Sequence, residues 1–513
     1  MTDVDTFDLP VVDQLFDFPF VKEKEQIVPY EFAKNHKLLP IDEEDGVLIV
    51  AISDPLALEA LEEVRLMTGK PVREVIAAED LLEAAIQQCY HQSEAATSQL
   101  FDRLKDAAPA EVEDDGDGYD LLAQKSSGSP VIQMLNAILM QAIQQGASDI
   151  HFEPLETALS VRYRIDGVLQ LRHQPPKEYQ SQLLTRIKVM ARLDIAEQRL
   201  PQDGRIKLKL GGRQIDFRVS TIPVVYGERI VLRILDKSNV LLGLNMIGMQ
   251  PSILEKFKNL IKISEGIVLV TGPTGSGKTT TLYSALAEIN SSHTNIMTVE
   301  DPVEYKLQGM AQIGVNPKIN LTFSTGLRHI LRQDPDVIMI GEIRDRETAD
   351  IAIQAALTGH LVLSTLHTND APSALTRLVD MGIEPYLLSS SVIGVLAQRL
   401  VRCICPHCKT SYKPSVAELE GLGLERNGFE FFSGAGCKEC YDTGYKGRRG
   451  IYELMPMSSH LKRRLIETVD SSALQEVALA EGMQSLRRDG GALVAQGLTT
   501  TAEVLRVTRS CEE

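Results

Sequence analysis

The stretch Ile267-Val268-Leu269-Val270-Thr271-Gly272-Pro273-Thr274-Gly275-Ser276-Gly277-Lys278-Thr279-Thr280 decides the fold. Residues 267–270 are an apolar run of strand length, and residues 280–289 carry a helix-compatible pattern. Between them lies the spacing G-x-x-x-x-G-K-T, a glycine-rich turn whose backbone N–H groups wrap phosphates at the N-terminus of the following helix. The loop of Gly272, Pro273, Thr274, Gly275, Ser276 and Gly277 is therefore expected to cradle a nucleotide, with Thr280 completing the binding set. Lys278 is expected to neutralise β- and γ-phosphate oxygens, and Thr279 to hold Mg²⁺. From residue 264 to about 398, buried strands alternate with helices, the pattern of a parallel α/β sheet.

Phosphate binding alone hydrolyses nothing; a group must also orient water, and cations must neutralise developing charge. Val337-Ile338-Met339-Ile340-Gly341-Glu342 reads as a second buried strand ending in a carboxylate. Gly341 stands where many nucleotide hydrolases with such a glycine loop carry an aspartate, which shifts the burden to Glu342. Glu300, Asp301 and Glu304, in Thr298-Val299-Glu300-Asp301-Pro302-Val303-Glu304-Tyr305, are further candidates for water or Mg²⁺. Residues 359–367 read as another buried strand with His360 and His367 at its ends, and His367 is a candidate γ-phosphate sensor. Any one of these residues alone is more often a solvated turn carboxylate or a hydrogen-bonded structural histidine. Their grouping around the glycine loop carries the functional reading.

Outward from this core, 513 residues exceed what one hydrophobic core usually supports, so several domains are expected. The composition, 43% hydrophobic and 24% charged, is that of an ordinary soluble protein, while a net charge of -17 disfavours broad attraction to nucleic-acid phosphates. No apolar run reaches the length of a membrane span and the chain opens on acidic residues, so it is expected to stay in the cytosol and meet a membrane only through a partner or an amphipathic surface.

Residues 1–95 read as a small α/β domain, with a strand at 47–52 and a helix over 55–67 that Asp54-Pro55 would open. Residues 96–128 fall in hydrophobicity, contain Glu111-Val112-Glu113-Asp114-Asp115-Gly116-Asp117-Gly118, and read as a flexible acidic linker. Ser129-Pro130 then opens a helix whose stripe Val131, Met134, Leu135, Ile138 and Ala142 is core packing. Strand-like segments at 159–165, 205–210 and 215–219 make residues 129–240 a second α/β domain, joined to the next by Leu242-Gly243-Leu244. The expected divisions beyond are an ATPase core at 241–398, a cysteine module at 399–446 and a helical tail at 447–513.

Cys405-Pro406-His407-Cys408 and Cys437-Lys438-Glu439-Cys440 supply four thiolates for one tetrahedral ion, a closed structural Zn²⁺ site. Residues 409–436 between them exceed common zinc-ribbon spacing, but loop closure grows costly only slowly with length. Cys403 is either an alternative ligand or, the preferred reading, a small packing residue, and Cys89 and Cys511 carry no readable role.

Together, the glycine loop, the 298–305 acidic box, Gly341-Glu342-Ile343-Arg344-Asp345 and the His360 to His367 segment resemble the secretion ATPase superfamily of type II secretion and type IV pilus motors. The resemblance runs from about residue 20 to about 508. It implies a RecA-like ATPase domain preceded by a PAS-like domain, assembled as a homohexameric ring that hydrolyses ATP. It also implies that Arg205, in Gln202-Asp203-Gly204-Arg205, and Arg218, in Asp216-Phe217-Arg218-Val219-Ser220, reach phosphates as charge-stabilising fingers, with Arg229 closing the same region. The stretches 28–34 and 52–55 resemble the N-terminal domain of type II secretion ATPases, which binds the cytoplasmic part of a bitopic inner-membrane protein. The implied machine is thus a cytoplasmic motor on the inner-membrane face, beside a membrane platform protein, driving pseudopilus assembly and export. A type IV pilus assembly motor is the alternative within the family. A nucleic-acid translocase with the same core, disfavoured by acidity, and a non-hydrolysing nucleotide switch, disfavoured by Glu342 and the arginines, are the alternatives outside it.

Overall fold

The computed structural model describes residues 10–12, 14–22, 27–28, 30–55, 57–90, 119–120, 130–210, 213–236, 243–422 and 430–508. They form two units, Met1–Ser238 and Asn239–Glu513. Most of the acidic stretch 96–128, with Pro29, Ser129, Leu242 and Cys511, lies outside the described residues.

The first unit holds two sheets. The smaller runs in the order β1-β4-β3-β2, from β1 (Val11–Val12), β2 (Leu38–Glu44), β3 (Val47–Ile52) and β4 (Val72–Ala77). Asp45 and Gly46, with φ of 50° and 80°, form the two-residue turn joining β2 to β3, a geometry whose twist suits an antiparallel hairpin. The helix after β3 spans Leu58–Thr68 and not 55–67. Asp54 and Pro55 precede it in a turn closed by the Ala57 N–H on the Asp54 carbonyl at 3.1 Å, and the cap residue Ala57 makes no side-chain cap.

The larger sheet is β5 (Tyr119–Asp120), β9 (Gln202–Leu210), β10 (Arg213–Val224), β11 (Gly227–Asp236), β6 (Ala147–Pro154), β7 (Leu159–Ile165) and β8 (Val168–His173), in that spatial order. Residues 119–120, expected as linker, thus pair with β9. β6, β8 and β11 go unread in the sequence because charged residues such as Asp149, Arg172, Arg229 and Arg233 interrupt their apolar pattern. Helix Pro130–Gln144 buries Val131, Met134, Leu135, Ile138 and Ala142, and also Asn136, Leu139 and Gln141.

The second unit is built on a sheet ordered β14 (Ala311–Gly314), β13 (Ile296–Glu300), β15 (Val337–Ile340), β16 (Leu361–Leu366), β12 (Gly266–Thr271), β17 (Val392–Ile404) and β20 (Tyr445–Pro456). All neighbours are parallel except β17 with β20. Both faces of β12 are covered. Ile267 and Leu269 join one cluster with helices Phe323–Ile330, Arg346–Leu357 and Ala371–Asp380, while Val268 and Val270 join another with helices Pro251–Leu260 and Lys278–Ile289. Val268, Leu269 and Val270 are wholly buried, each contributing roughly 1.5–3 kcal/mol by leaving water.

β17 runs across the expected boundary at 398/399, and β20 across that at 446/447. The cysteine module, with β18 (Lys409–Tyr412) paired to β19 (Phe431–Gly434), is therefore an excursion between two adjacent strands of the ATPase sheet. The polar pair Gln398-Arg399 inside β17 is what disguises the strand in the sequence. Among the described residues, no helix is long and apolar enough to cross a membrane.

Two buried carboxyls tie β20 to the helices around it. Glu453 accepts the backbone N–H groups of Ala371 at 2.8 Å and Leu486 at 3.3 Å, and burial raises its carboxyl to about 7. Asp489 accepts the Tyr452 N–H at 2.8 Å, and burial raises it to about 6. A carboxyl whose folded pKa is raised gives its full stabilisation below the unfolded value and loses it as pH rises through the folded one. For Asp489 that window runs from the ordinary 3.8 to about 6. Asp489→Asn is expected to flatten the fall in thermal midpoint across this window, read by differential scanning calorimetry at several pH values; a slope equal to the parent's would contradict the assignment.

Candidate functional site

β12 ends at Thr271, and the chain turns at once into the glycine loop and helix Lys278–Ile289. Gly275 and Gly277 have φ of 80° and 89°, left-handed values that side chains disfavour. Gly272 is required for space, since a Cβ there would lie 2.4 Å from the Gln398 carbonyl oxygen. Thr279 and Thr280 are exposed at the helix start, while Lys278 is 8% exposed. Its Nζ donates to the carbonyls of Gly272 at 2.8 Å and Pro273 at 3.0 Å, so the ammonium closes back over the loop. Burial holds Lys278 down at about 8, Glu342 opposing and Arg399 assisting.

Parallel pairing brings the C-terminal ends of β12, β16 and β15 to one edge. Thr271 fixes that edge: its Oγ1 lies 2.6 Å from Thr368 Oγ1 and accepts the Thr368 N–H at 3.0 Å. Glu342 follows β15, is 15% exposed, and meets Arg344 at 2.5 Å and His367 Nε2 at 3.5 Å. Burial lowers the His367 pKa, Lys278 assists and Glu342 opposes. Gly341 lies against β13, where a Cβ would meet the Val299 carbonyl oxygen at 3.3 Å and the Phe323 ring at 3.4 Å. A side chain there would need these neighbours to give by a few tenths of an ångström, whereas the carboxylate stands one residue later, at Glu342.

Two expected site residues of the second unit, His360 and Glu300, are placed otherwise, and Arg229 is held within the first. His360 precedes β16 and so lies at the opposite edge of the sheet, where its ring bonds the Ala355 carbonyl at 2.8 Å and its own carbonyl accepts the Gly266 N–H at 3.1 Å. It caps a helix and does not approach Lys278. Glu300 is 3% exposed, and its carboxylate accepts from Tyr283, from Thr298 at 2.6 Å and from Gln312 at 3.1 Å. It braces the glycine-loop helix against β13 instead of facing water. Arg229 is engaged by Glu153 at 2.7 Å and lies 3.1 Å from His151 Nδ1, within its own sheet. Asp301 and Glu304 are exposed, and Asp301 lends its charge to Arg344.

In the first unit, Arg205 on β9 pairs in register with Arg218 on β10, and Arg218 with Arg233 on β11. Three cations abreast disfavour the sheet unless an anion meets them. Arg233 is partly answered by Asp149 at 3.0 Å; Arg205 and Arg218 are exposed. Arg233 escapes sequence reasoning, although the two-residue loop Val225-Tyr226 between β10 and β11 fixes the register that reveals it.

The four cysteines of the two C-x-x-C pairs converge, all sulfurs within 4.8 Å of one another. Cys405 to Cys437 and Cys408 to Cys440 span 3.8 Å, and Cys437 to Cys440 3.6 Å. Four thiolates about 2.3 Å from one Zn²⁺ stand about 3.8 Å apart, so this donor set fits. Cys440 Sγ also accepts the N–H groups of Cys437 at 3.2 Å and Gly444 at 3.3 Å, a pattern suited to a thiolate. Cys403 is outside the cluster, and the buried Cys89 thiol donates to the Phe20 carbonyl at 3.4 Å.

The family model described as Type II/IV secretion system protein matches residues 124–506. The chain belongs to that family. Residues 7–96 match the MshEN domain model. The chain is 49% identical over 491 residues to type II secretion system protein HxcR of Pseudomonas aeruginosa, covering 94% of this chain and 99% of that one. It is 45% identical to the type II secretion system ATPase E of Vibrio cholerae, over 96% of this chain and 98% of that one. It is also 44% identical to the type IV pilus assembly ATPase PilB of Myxococcus xanthus, over 97% and 89%. The solved ATPase DotB of Legionella pneumophila aligns with a TM-score of 0.55 at 21% identity, covering 76% of this chain and 99% of that one, which supports the fold.

His360→Ala is expected to leave nucleotide affinity and turnover within about twofold of the parent while lowering the thermal midpoint, because it removes only a helix-end hydrogen bond. A large loss of turnover at unchanged stability would return His360 to the phosphate site.

Proposed function

We propose that this chain is the ATP-hydrolysing motor of a type II secretion system, driving pseudopilus assembly and protein export. The observation that carries the reading is the convergence of Lys278, Glu342 and His367 at the edge where the glycine loop opens, in a chain similar over nearly its whole length to proteins named for that machine. A type IV pilus assembly motor is the second reading, favoured by the likeness to PilB.

In this mechanism the loop N–H groups and the helix N-terminus bind the phosphates, and the Lys278 ammonium leaves the Gly272 and Pro273 carbonyls for the β and γ oxygens. Thr279 would hold Mg²⁺, whose charge offsets that of the phosphate oxygens. Glu342, oriented by Arg344 and His367, accepts a proton from the attacking water. The new P–O bond forms at the γ-phosphorus and the bond to the β-bridging oxygen breaks, leaving ADP and phosphate. Arg205 and Arg218 act as fingers from the preceding domain, so hydrolysis depends on closure and becomes domain motion. We assign the chain to a homohexameric ring on the cytoplasmic face of the inner membrane. Its N-terminal domain contacts a bitopic membrane partner, the ring works beside the membrane platform protein, and Zn²⁺ is held by Cys405, Cys408, Cys437 and Cys440. The domain plan is an N-terminal α/β domain, a linker, a PAS-like domain, and an ATPase sheet with the zinc module inserted.

Glu342→Gln is expected to retain ATP binding and lose at least about a hundredfold in turnover, measured by phosphate release against protein concentration. Unchanged turnover would remove Glu342 from the mechanism, and strict linearity with concentration would remove the ring requirement. For the cysteine module, purified protein is expected to contain one zinc per chain, and Cys408→Ser to lose it with a lower thermal midpoint, read by elemental analysis and calorimetry. Full zinc content in the variant would refute the site.

A further inference from the structure

One cation at the phosphate edge lies outside the nucleotide-binding motifs. Arg399 sits on β17, two residues beyond Ala397, which pairs with Thr271 at the end of β12. β12 stands between β16 and β17. Even so, the Arg399 guanidinium donates to Asn369, in the turn after β16, at 2.9 Å to the side-chain oxygen and 3.2 Å to the backbone carbonyl. The side chain therefore crosses the end of β12, where the glycine loop begins. Its neighbour Gln398 packs on that loop: the Gln398 carbonyl oxygen and Nε2 lie 2.4 and 2.8 Å from where Cβ atoms on Gly272 and Gly277 would stand.

Two further observations concern charge. Arg399 is close enough to Lys278 to lower its pKa, and is itself half-buried, with Asp370 and Glu453 as its carboxylate neighbours. Its Nε is buried without a hydrogen-bond partner. Desolvation outweighs those two carboxylates and works against the charged guanidinium, and a phosphate reaching both cations would offset that cost. The guanidinium end lies on the β16 side, two residues from His367, whose ring meets Glu342. In the proposed mechanism that is the side on which water attacks, and hence the side of the terminal phosphate.

We propose that Arg399 is a phosphate-binding residue supplied within the same chain, contacting the terminal phosphate of the bound triphosphate and giving up its bonds to Asn369 to do so. The inference rests on the nucleotide-site reading and extends it. Contact with the terminal phosphate makes Arg399 discriminate triphosphate from diphosphate. It also couples that discrimination to the turn capped by Asp370, from which helix Ala371–Asp380 starts.

The test is an equilibrium titration of the full chain, in Mg²⁺, with fluorescent ADP and with a fluorescent non-hydrolysable ATP analogue. Arg399→Gln is expected to weaken the ATP analogue about tenfold while ADP affinity changes less than about twofold. Arg399→Lys, which keeps the charge without the planar fork, is expected to fall between. Equal weakening of both ligands, or no change in either, overturns the proposal. Asn369→Ala releases the guanidinium without removing it and is expected to leave analogue affinity unchanged or tighter; a tenfold loss there gives the pair a purely structural role and also overturns it. Lys278→Ala separates the two levels. If it leaves analogue affinity intact, the nucleotide-site reading itself fails. If it abolishes affinity while Arg399→Gln titrates like the parent, only the Arg399 assignment fails.

Discussion

A strand with parallel partners on both edges and helices on both faces can meet water only at its ends, and β12 is such a strand. Its N–H and C=O groups are taken by β16 and β17, and its side chains by two apolar clusters. The chain must therefore leave at Thr271 and return over the sheet as a helix, so the glycine loop is forced into the one opening at the carboxyl edge. Thr271 and Thr368 lock β12 to β16, Gln398 packs β17 on the loop, and Tyr283 with Glu300 ties the loop's helix to β13. The glycine loop is thus held in place by the ladder strands and helix around it.

Charge at this edge is divided among several groups. Lys278 is opposed by Glu342, which is shared with Arg344 and His367, while Arg399 has Asp370 and Glu453 as its carboxylate neighbours. The Lys278 ammonium rests on two carbonyls and the Arg399 guanidinium on Asn369, neutral partners that bind a cation more weakly than a phosphate does. The row Arg205, Arg218 and Arg233 in the other unit sets cations side by side on a sheet face, where, among the described residues, Arg233 alone of the three meets a carboxylate. An anion arriving at that row would offset the repulsion among its cations.

Much of this was legible from residues alone. The glycine loop, the strand of residues 337–340, the strand 47–52 and the tetracysteine set could be read because each joins an uninterrupted local pattern to a spacing with a physical meaning. The insertion of the cysteine module between β17 and β20 was not legible, since pairing across residues 405–444 is non-local and Gln398-Arg399 interrupts the apolar run. His360 looked equivalent to His367 because a strand's two ends are indistinguishable in sequence, whereas in a parallel sheet only one end faces the loop. Glu300 looked catalytic because its hydrogen-bond donors come from Tyr283, Thr298 and Gln312, two of them distant in the chain. Arg233 and Arg399 were missed because register alone gives them meaning.

The central claim is that the triphosphate is gripped by the backbone of the glycine loop. Amide hydrogen exchange, followed by mass spectrometry with and without a non-hydrolysable ATP analogue and Mg²⁺, addresses it directly. The account predicts strong ligand-dependent protection of the amides at residues 274–279 and unchanged exchange in the cysteine module. Exchange at 274–279 that is indifferent to saturating analogue would contradict it.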